Sequence, residues 1–120
     1  MALHNELGKK GEDLATAFLK DAGYKIVARN FRHQKAEVDI IARKDSTLAI
    51  IEVKTRSTPD FGNPQDFVKG RQIQNLVKAV DFFVTEHNLD VEVRFDIIAI
   101  IKNQSGTKIE HLENAFLYFG

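Results

Sequence analysis

The chain contains no cysteine. That excludes a disulfide framework and a thiolate metal site, and it fits a reducing compartment. Only two prolines occur, Pro59 and Pro64; with Gly62 they mark residues 56–65 as a loop. No apolar run approaches the length of a bilayer span. The opening segment, MALHNELGKKGEDLATAF, has no apolar stretch behind a basic one, so a signal peptide is not expected either. Together these absences predict a cytoplasmic protein without a membrane partner. An excess of charge is missing as well: 17 Lys and Arg balance 17 Asp and Glu, which argues against coating nucleic acid by charge alone. The histidines His4, His33, His87 and His111 stand at no metal-ligand spacing, so a zinc site is not expected.

What remains is ordinary for a globular domain: 120 residues, 43% hydrophobic and 28% charged. That length supports one core, so residues 1–120 read as a single domain. Over residues 5–22, Leu7, Leu14, Ala15, Phe18, Leu19 and Ala22 recur at helical spacing, and Gly23 stands where a C-cap glycine would. Residues 24–31, 37–43 and 47–55 are strand-like, the latter two rich in β-branched residues. A second amphipathic helix over 67–87 carries Ile73, Leu76, Val77, Val80, Phe83 and Val84. The most continuous apolar run, 91–101, reads as a central strand, followed by a turn at 103–106 and a last strand over 107–112. A helix between the third and fourth strands permits one parallel crossover. The expected fold is therefore α/β, a mixed β-sheet flanked by helices in the order αβββαββ.

Two of these strands carry charge inside apolar sequence. Alternation places Glu37, Asp39 and Ile41 on one face of the second strand, with Val38, Ile40 and Ala42 on the other. In the third strand, Ile50, Glu52 and Lys54 share a face opposite Ile51 and Val53. If Asp45-Ser46 is a two-residue loop, Asp39 lies opposite Glu52 and Glu37 faces Lys54, with Cβ atoms about 5 Å apart. A slip of one residue would separate the charges. Two carboxylates so close repel when empty and suit a divalent cation between them. Glu52-Val53-Lys54 points a carboxylate and an ammonium the same way, which suits hydrolysis at a phosphoryl group. Hard oxygen ligands favour Mg²⁺ or Mn²⁺. An exposed cross-strand ion pair produces a bare Glu-x-Lys as readily, but Asp39 and then Glu12 strengthen the metal reading. Glu12 lies at the margin of the apolar stripe of the first helix and can turn toward the sheet.

At these residues the sequence resembles the bacterial YraN-like (UPF0102) family, which looks like the archaeal Holliday-junction resolvases of the restriction-endonuclease-like superfamily. The segments that carry the resemblance are Gly8-Lys9-Lys10-Gly11-Glu12, Gly23-Tyr24, Arg29-Asn30-Phe31-Arg32, Glu37-Val38-Asp39-Ile40-Ile41 and Ile51-Glu52-Val53-Lys54-Thr55-Arg56. Phe61-Gly62-Asn63-Pro64, Arg94-Phe95-Asp96 and Asn114-Ala115-Phe116 extend it over nearly the whole chain. Ala36 stands where the family usually has glycine, and Arg71 where it often has lysine. The resemblance implies a restriction-endonuclease-like fold with Glu12, Asp39 and Glu52 as metal ligands and Lys54 as catalytic lysine. It further implies Mg²⁺-dependent cleavage of branched or structured DNA, by a homodimer where junctions are cut. The competing expectation is a non-catalytic module of DNA repair or uptake, which binds nucleic acid or a protein partner.

Other residues have weaker claims. Lys9, Lys10, Arg32, Arg56 and Arg71 are candidate phosphate contacts, although each reads equally as solvated surface. Glu37 is either a partner of Lys54 or a surface residue. Asp96, inside the 91–101 run, is expected in a structural salt bridge or buried hydrogen bond rather than at a metal. Residues 61–64 read as a loop near the site. The 91–101 run and the phenylalanines near the C-terminus supply either a self-complementary dimer patch or simply core.

Overall fold

The computed structural model describes residues 2–58 and 70–115. Its elements are α1 (Ala2–Asp21), β1 (Lys25–His33), β2 (Ala36–Lys44), β3 (Thr47–Arg56), α2 (Gly70–Glu86), β4 (Glu92–Asn103) and β5 (Gly106–Leu112). This is the expected αβββαββ order. The loop at 61–64 and the first residues assigned to the second helix, 67–69, lie outside the described residues. The five strands form one open sheet in the order β1-β2-β3-β4-β5. Only β3 and β4 are parallel, joined by the crossover that carries α2; the other neighbours are antiparallel.

Each helix covers one face of the sheet. Ala15 and Leu19 of α1 bury against Ile40, Ala42, Ala49, Ile51, Ile98 and Ile100. Leu76, Ala79, Val80 and Phe83 of α2 bury against Val38, Ile41, Leu48, Ile50 and Ile97. Apolar residues of β3 and β4 thus serve both layers in alternation, as strands buried on two faces must. Ile97, Ile98 and Ile100 are fully buried. Of the two readings of the 91–101 run, these residues take the core; Val93, in the same run, is 40% exposed. Phe116 and Phe119 lie outside the described residues.

Both helices end in the same way. Gly23 has φ of 94°, with Tyr24 N–H donating to Leu19 C=O at 2.9 Å and Gly23 N–H to Lys20 C=O at 3.0 Å. That is a Schellman ending, which satisfies carbonyls left open by the last turn. At the end of α2, Asn88 takes the left-handed position with φ of 51°, and Leu89 N–H donates to Val84 C=O at 3.0 Å. Asparagine tolerates that conformation better than most residues.

Beneath α1, Asp96 is fully buried and holds several segments together. Arg94 donates to both of its oxygens at 2.8–3.1 Å, and Nη2 of Arg94 also reaches the Tyr24 hydroxyl. His111 Nε2 lies 2.7 Å from Oδ2, and the Asn114 backbone N–H donates to Oδ1 at 3.2 Å. Although burial opposes its charge, the hydrogen bonds from His111 and Arg94 bring the Asp96 carboxyl below the usual aspartate range. The expectation of a structural ion pair is met, and Asp96 plays no part in the carboxylate site.

Candidate active site

The site is assembled where β2 parts from β3. The hairpin has the expected register, from Lys44↔Thr47 to Ile40↔Ile51 around the two-residue loop Asp45-Ser46. One rung further, Asp39 and Glu52 would face each other, but the backbone ladder gives way there. The Asp39 carboxylate accepts the Val53 N–H at 2.8 Å.

The expected face assignment of β2 is corrected at this point. Ala36 and Val38 pack in the layer beneath α2 together with Ile41, whereas Ile40 and Ala42 pack beneath α1. Alternation therefore slips at Asp39. The cause lies across the strand pair: Asn30 adopts φ of 53°, and the β1–β2 pairing passes from Arg29↔Ile40 to Phe31↔Val38 without an Asn30–Asp39 rung. A left-handed residue inside a strand turns the side chains that follow it to the other face. For Glu37 the structure favours the surface reading. Its ion pair is with Arg32, at 3.3 Å, on a side chain that is 42% exposed. Lys54 lies beside Glu52, with Nζ 3.4 Å from Oε1.

Asp39 and Glu52 line a polar cleft of about 340 Å³ between the sheet and α2, whose walls include Lys35, Glu37, Gln72 and Asn75. Burial, then the neighbouring Glu52 charge, push the Asp39 carboxyl up to about 7, against the pull of the Val53 N–H. Burial also raises Glu52, while Lys54 and a side-chain hydrogen bond with Asp39 hold it back. Both shifts have one cause: two adjacent half-buried carboxylates resist ionising together. Gln72 and Asn75 had no signal in the sequence, since polar residues on an amphipathic helix read as its solvated face.

Glu12 arrives from the other side. Gly11 allows it: a Cβ there would lie 1.9 Å from Thr55 Oγ1 and 3.0 Å from Thr55 Cβ, so α1 can lie this close to β3 only at a glycine. Burial and the Asp39 charge raise the Glu12 carboxyl, and Arg29 opposes them. Glu12 Oε1 is buried without a hydrogen-bond partner, 3.7 Å from Arg29 Nη2. Among the described residues, no three His, Cys, Asp or Glu side chains stand together as a metal-binding group. Asp39 and Glu52 are brought together; Glu12 stands apart beside Arg29.

Of the basic candidates, Lys9, Lys10, Arg32, Arg56 and Arg71 are all exposed. They lie on elements that meet at the same end of the sheet. Lys9 and Lys10 precede Gly11, Arg32 pairs with Glu37 near the start of β2, and Arg56 ends β3. Arg71 precedes Gln72 in the first turn of α2.

Two predictions arise from this packing. Replacing Gly11 by alanine improves helix propensity, yet the overlap with Thr55 should make Gly11→Ala less stable by about 1–3 kcal/mol, as overpacking does. Urea denaturation checks it, and Thr55→Ala in the same background should recover part of the loss. A more stable single variant would contradict the close approach.

The second prediction concerns pH. A carboxyl raised in the folded state binds more protons there than in the unfolded chain. The metal-free protein should therefore lose stability as pH rises from about 4 to about 7, and not beyond. Asp39→Asn keeps an oxygen for the Val53 N–H and removes the repulsion. It should be the more stable by about 2 kcal/mol at pH 8, with little difference at pH 4. Melting curves in chelator across this range test it, and a lower melting temperature for Asp39→Asn at pH 8 would rule out the crowded pair.

The fold and site thus define an α/β protein whose open mixed sheet carries a crowded carboxylate pair at a polar cleft, with a lysine beside it. The chain belongs to the family described as "Uncharacterised protein family UPF0102", whose model matches residues 11–100. It is 68% identical over 119 residues to a UPF0102 protein of Christiangramia forsetii, covering 99% of this chain and 100% of that one. A UPF0102 protein of Bacteroides thetaiotaomicron is 45% identical, with 97% and 96% covered. Among solved structures, Pyrococcus furiosus SfsA in complex with Ca²⁺ matches with a TM-score of 0.35 and 13% identity, over 92% of this chain and 63% of that one. A likeness that distant carries no argument.

Proposed function

We propose that this chain is a metal-dependent endonuclease that hydrolyses phosphodiester bonds in branched or otherwise structured DNA. The observation that carries the reading is the pair Asp39 and Glu52, crowded into one wall of a polar cleft with Lys54 beside Glu52. Two half-buried acids with raised affinity for a proton form a ready site for a different cation, and the all-oxygen donor set suits Mg²⁺ or Mn²⁺. Asp39 and Glu52 would hold the ion, and the unpartnered Oε1 of Glu12 would complete or support the shell. Such an ion neutralises phosphoryl charge and lowers the pKa of bound water.

The remaining work falls to side chains of this chain. Val53 N–H fixes one oxygen of Asp39 and thereby aims the other. Lys54 places an ammonium where negative charge develops on the phosphoryl oxygens. Lys9, Lys10, Arg32, Arg56 and Arg71 contact backbone phosphates, positioning the substrate without reading sequence. One chain offers one such site, so cutting two strands of a four-way junction calls for a homodimer.

The test is a cleavage screen of junction, flap, single-stranded and duplex DNA with Mg²⁺ or Mn²⁺, comparing wild type with Glu52→Ala. Metal-dependent cutting that disappears in the variant is the expected result. Binding of branched DNA with no cutting under any metal would assign the chain to the alternative, a non-catalytic module. Sedimentation with and without junction DNA tests the homodimer.

A further inference from the structure

Arg29 forms an ion pair with Glu12, and its placement depends on the bulge in β1 between Ile26 and Ala28. Ile26 packs in the α1 layer and Ala28 in the α2 layer, so Arg29, the next residue and the partner of Ile40, faces α1. The guanidinium consequently comes up beside α1. There Nη2 donates to Asp13 Oδ1 at 2.9 Å and stops 3.7 Å from Glu12 Oε1, too far for a hydrogen bond. Arg29 is thus shared between two acids in successive positions of one helix. It satisfies Asp13 and only balances the charge of Glu12, whose buried oxygen keeps an unused acceptor. A purely structural pair would close that gap, since a partly buried arginine can form a bidentate bond to one carboxylate.

We propose that Arg29 is a positioning residue that occupies the place of the metal's charge beside Glu12, holding that carboxylate apart from Asp39 and Glu52 until a divalent cation competes for it. The inference rests on the metal-site reading above. In the metal-free protein, Arg29 offsets the repulsion that Asp39 exerts on Glu12. Glu12 would offer its free oxygen to the cation, with Arg29 keeping its hydrogen bond to Asp13. Arg29 therefore needs no new partner, which makes the exchange cheap. Because Arg29 competes with the cation for Glu12, it lowers metal affinity, and it does so through Glu12 alone.

Calorimetric titration with Mn²⁺ tests this in a double-mutant cycle. Arg29→Gln, which keeps polarity without the charge, should bind Mn²⁺ more tightly by roughly three- to tenfold, the effect of freeing Glu12 from a competing charge in a half-exposed setting. Arg29→Lys should bind like wild type. In the Glu12→Gln background, the Arg29→Gln substitution should change affinity less than twofold. Weaker binding by Arg29→Gln, or an equal gain with and without Glu12, would overturn the proposal while leaving the metal site standing. If wild type shows no Mn²⁺ binding at all, the metal-site reading itself fails and this inference falls with it. Melting of each variant in chelator separates misfolding from loss of the competition.

Discussion

Lys54→Ala should cut the rate of metal-dependent DNA cleavage by about 10²–10³-fold, the loss typical of removing one preorganised stabiliser of developing charge. Its affinity for Mn²⁺ should be unchanged or higher. The two effects separate because Lys54 contacts Glu52 at 3.4 Å without being an oxygen donor. Removing its charge takes a repelling ammonium away from the cation, which favours metal binding while impairing the chemistry. Single-turnover cleavage and calorimetry on the same preparation supply both numbers. A variant that cleaves normally would show that Lys54 merely balances charge in the cleft. A variant that loses metal binding along with cleavage would show that it organises the carboxylates.

A second large effect lies on the opposite face of the sheet. Arg94→Ala should destabilise the fold by about 3–5 kcal/mol, because it strips the main counter-charge from the fully buried Asp96. Asp96 would keep His111 and the Asn114 N–H, which hold its charge only in part. The double variant Arg94→Ala/Asp96→Asn should be more stable than Arg94→Ala alone, since no buried charge is then stranded. Denaturant unfolding measures all of these, and a cost under about 1 kcal/mol for Arg94→Ala would fall in the range of exposed pairs, placing the cluster among surface ion pairs.

The sequence revealed those parts of the fold that are set by local rules. The β2–β3 register could be read because Asp45-Ser46 closes a two-residue loop, which fixes every rung from Lys44↔Thr47 inward. Gly23 could be read as a helix end because glycine serves so often at that position. The bend in β1 could not. Asn30 sits between Arg29 and Phe31 in sequence that looks like uninterrupted strand, and only the two core layers reveal that alternation slips there. Strict alternation therefore placed Glu37 opposite Lys54, whereas the slip leaves Glu37 with Arg32. The Arg94–Asp96–His111–Tyr24 cluster was legible only in outline, since its members come from β4, β5 and the turn between α1 and β1. The approach of Arg29 to Glu12 was equally hidden, because it joins a helix to a strand outside the site's own hairpin.

The central claim, that Asp39 and Glu52 form one cation site, is tested most directly by calorimetric titration of wild type and Asp39→Asn with Mn²⁺ near pH 7.5. One site in wild type is expected, weakened by at least about tenfold in Asp39→Asn, as the loss of one charged ligand from a shared ion requires. Equal affinity in the two proteins would contradict the account.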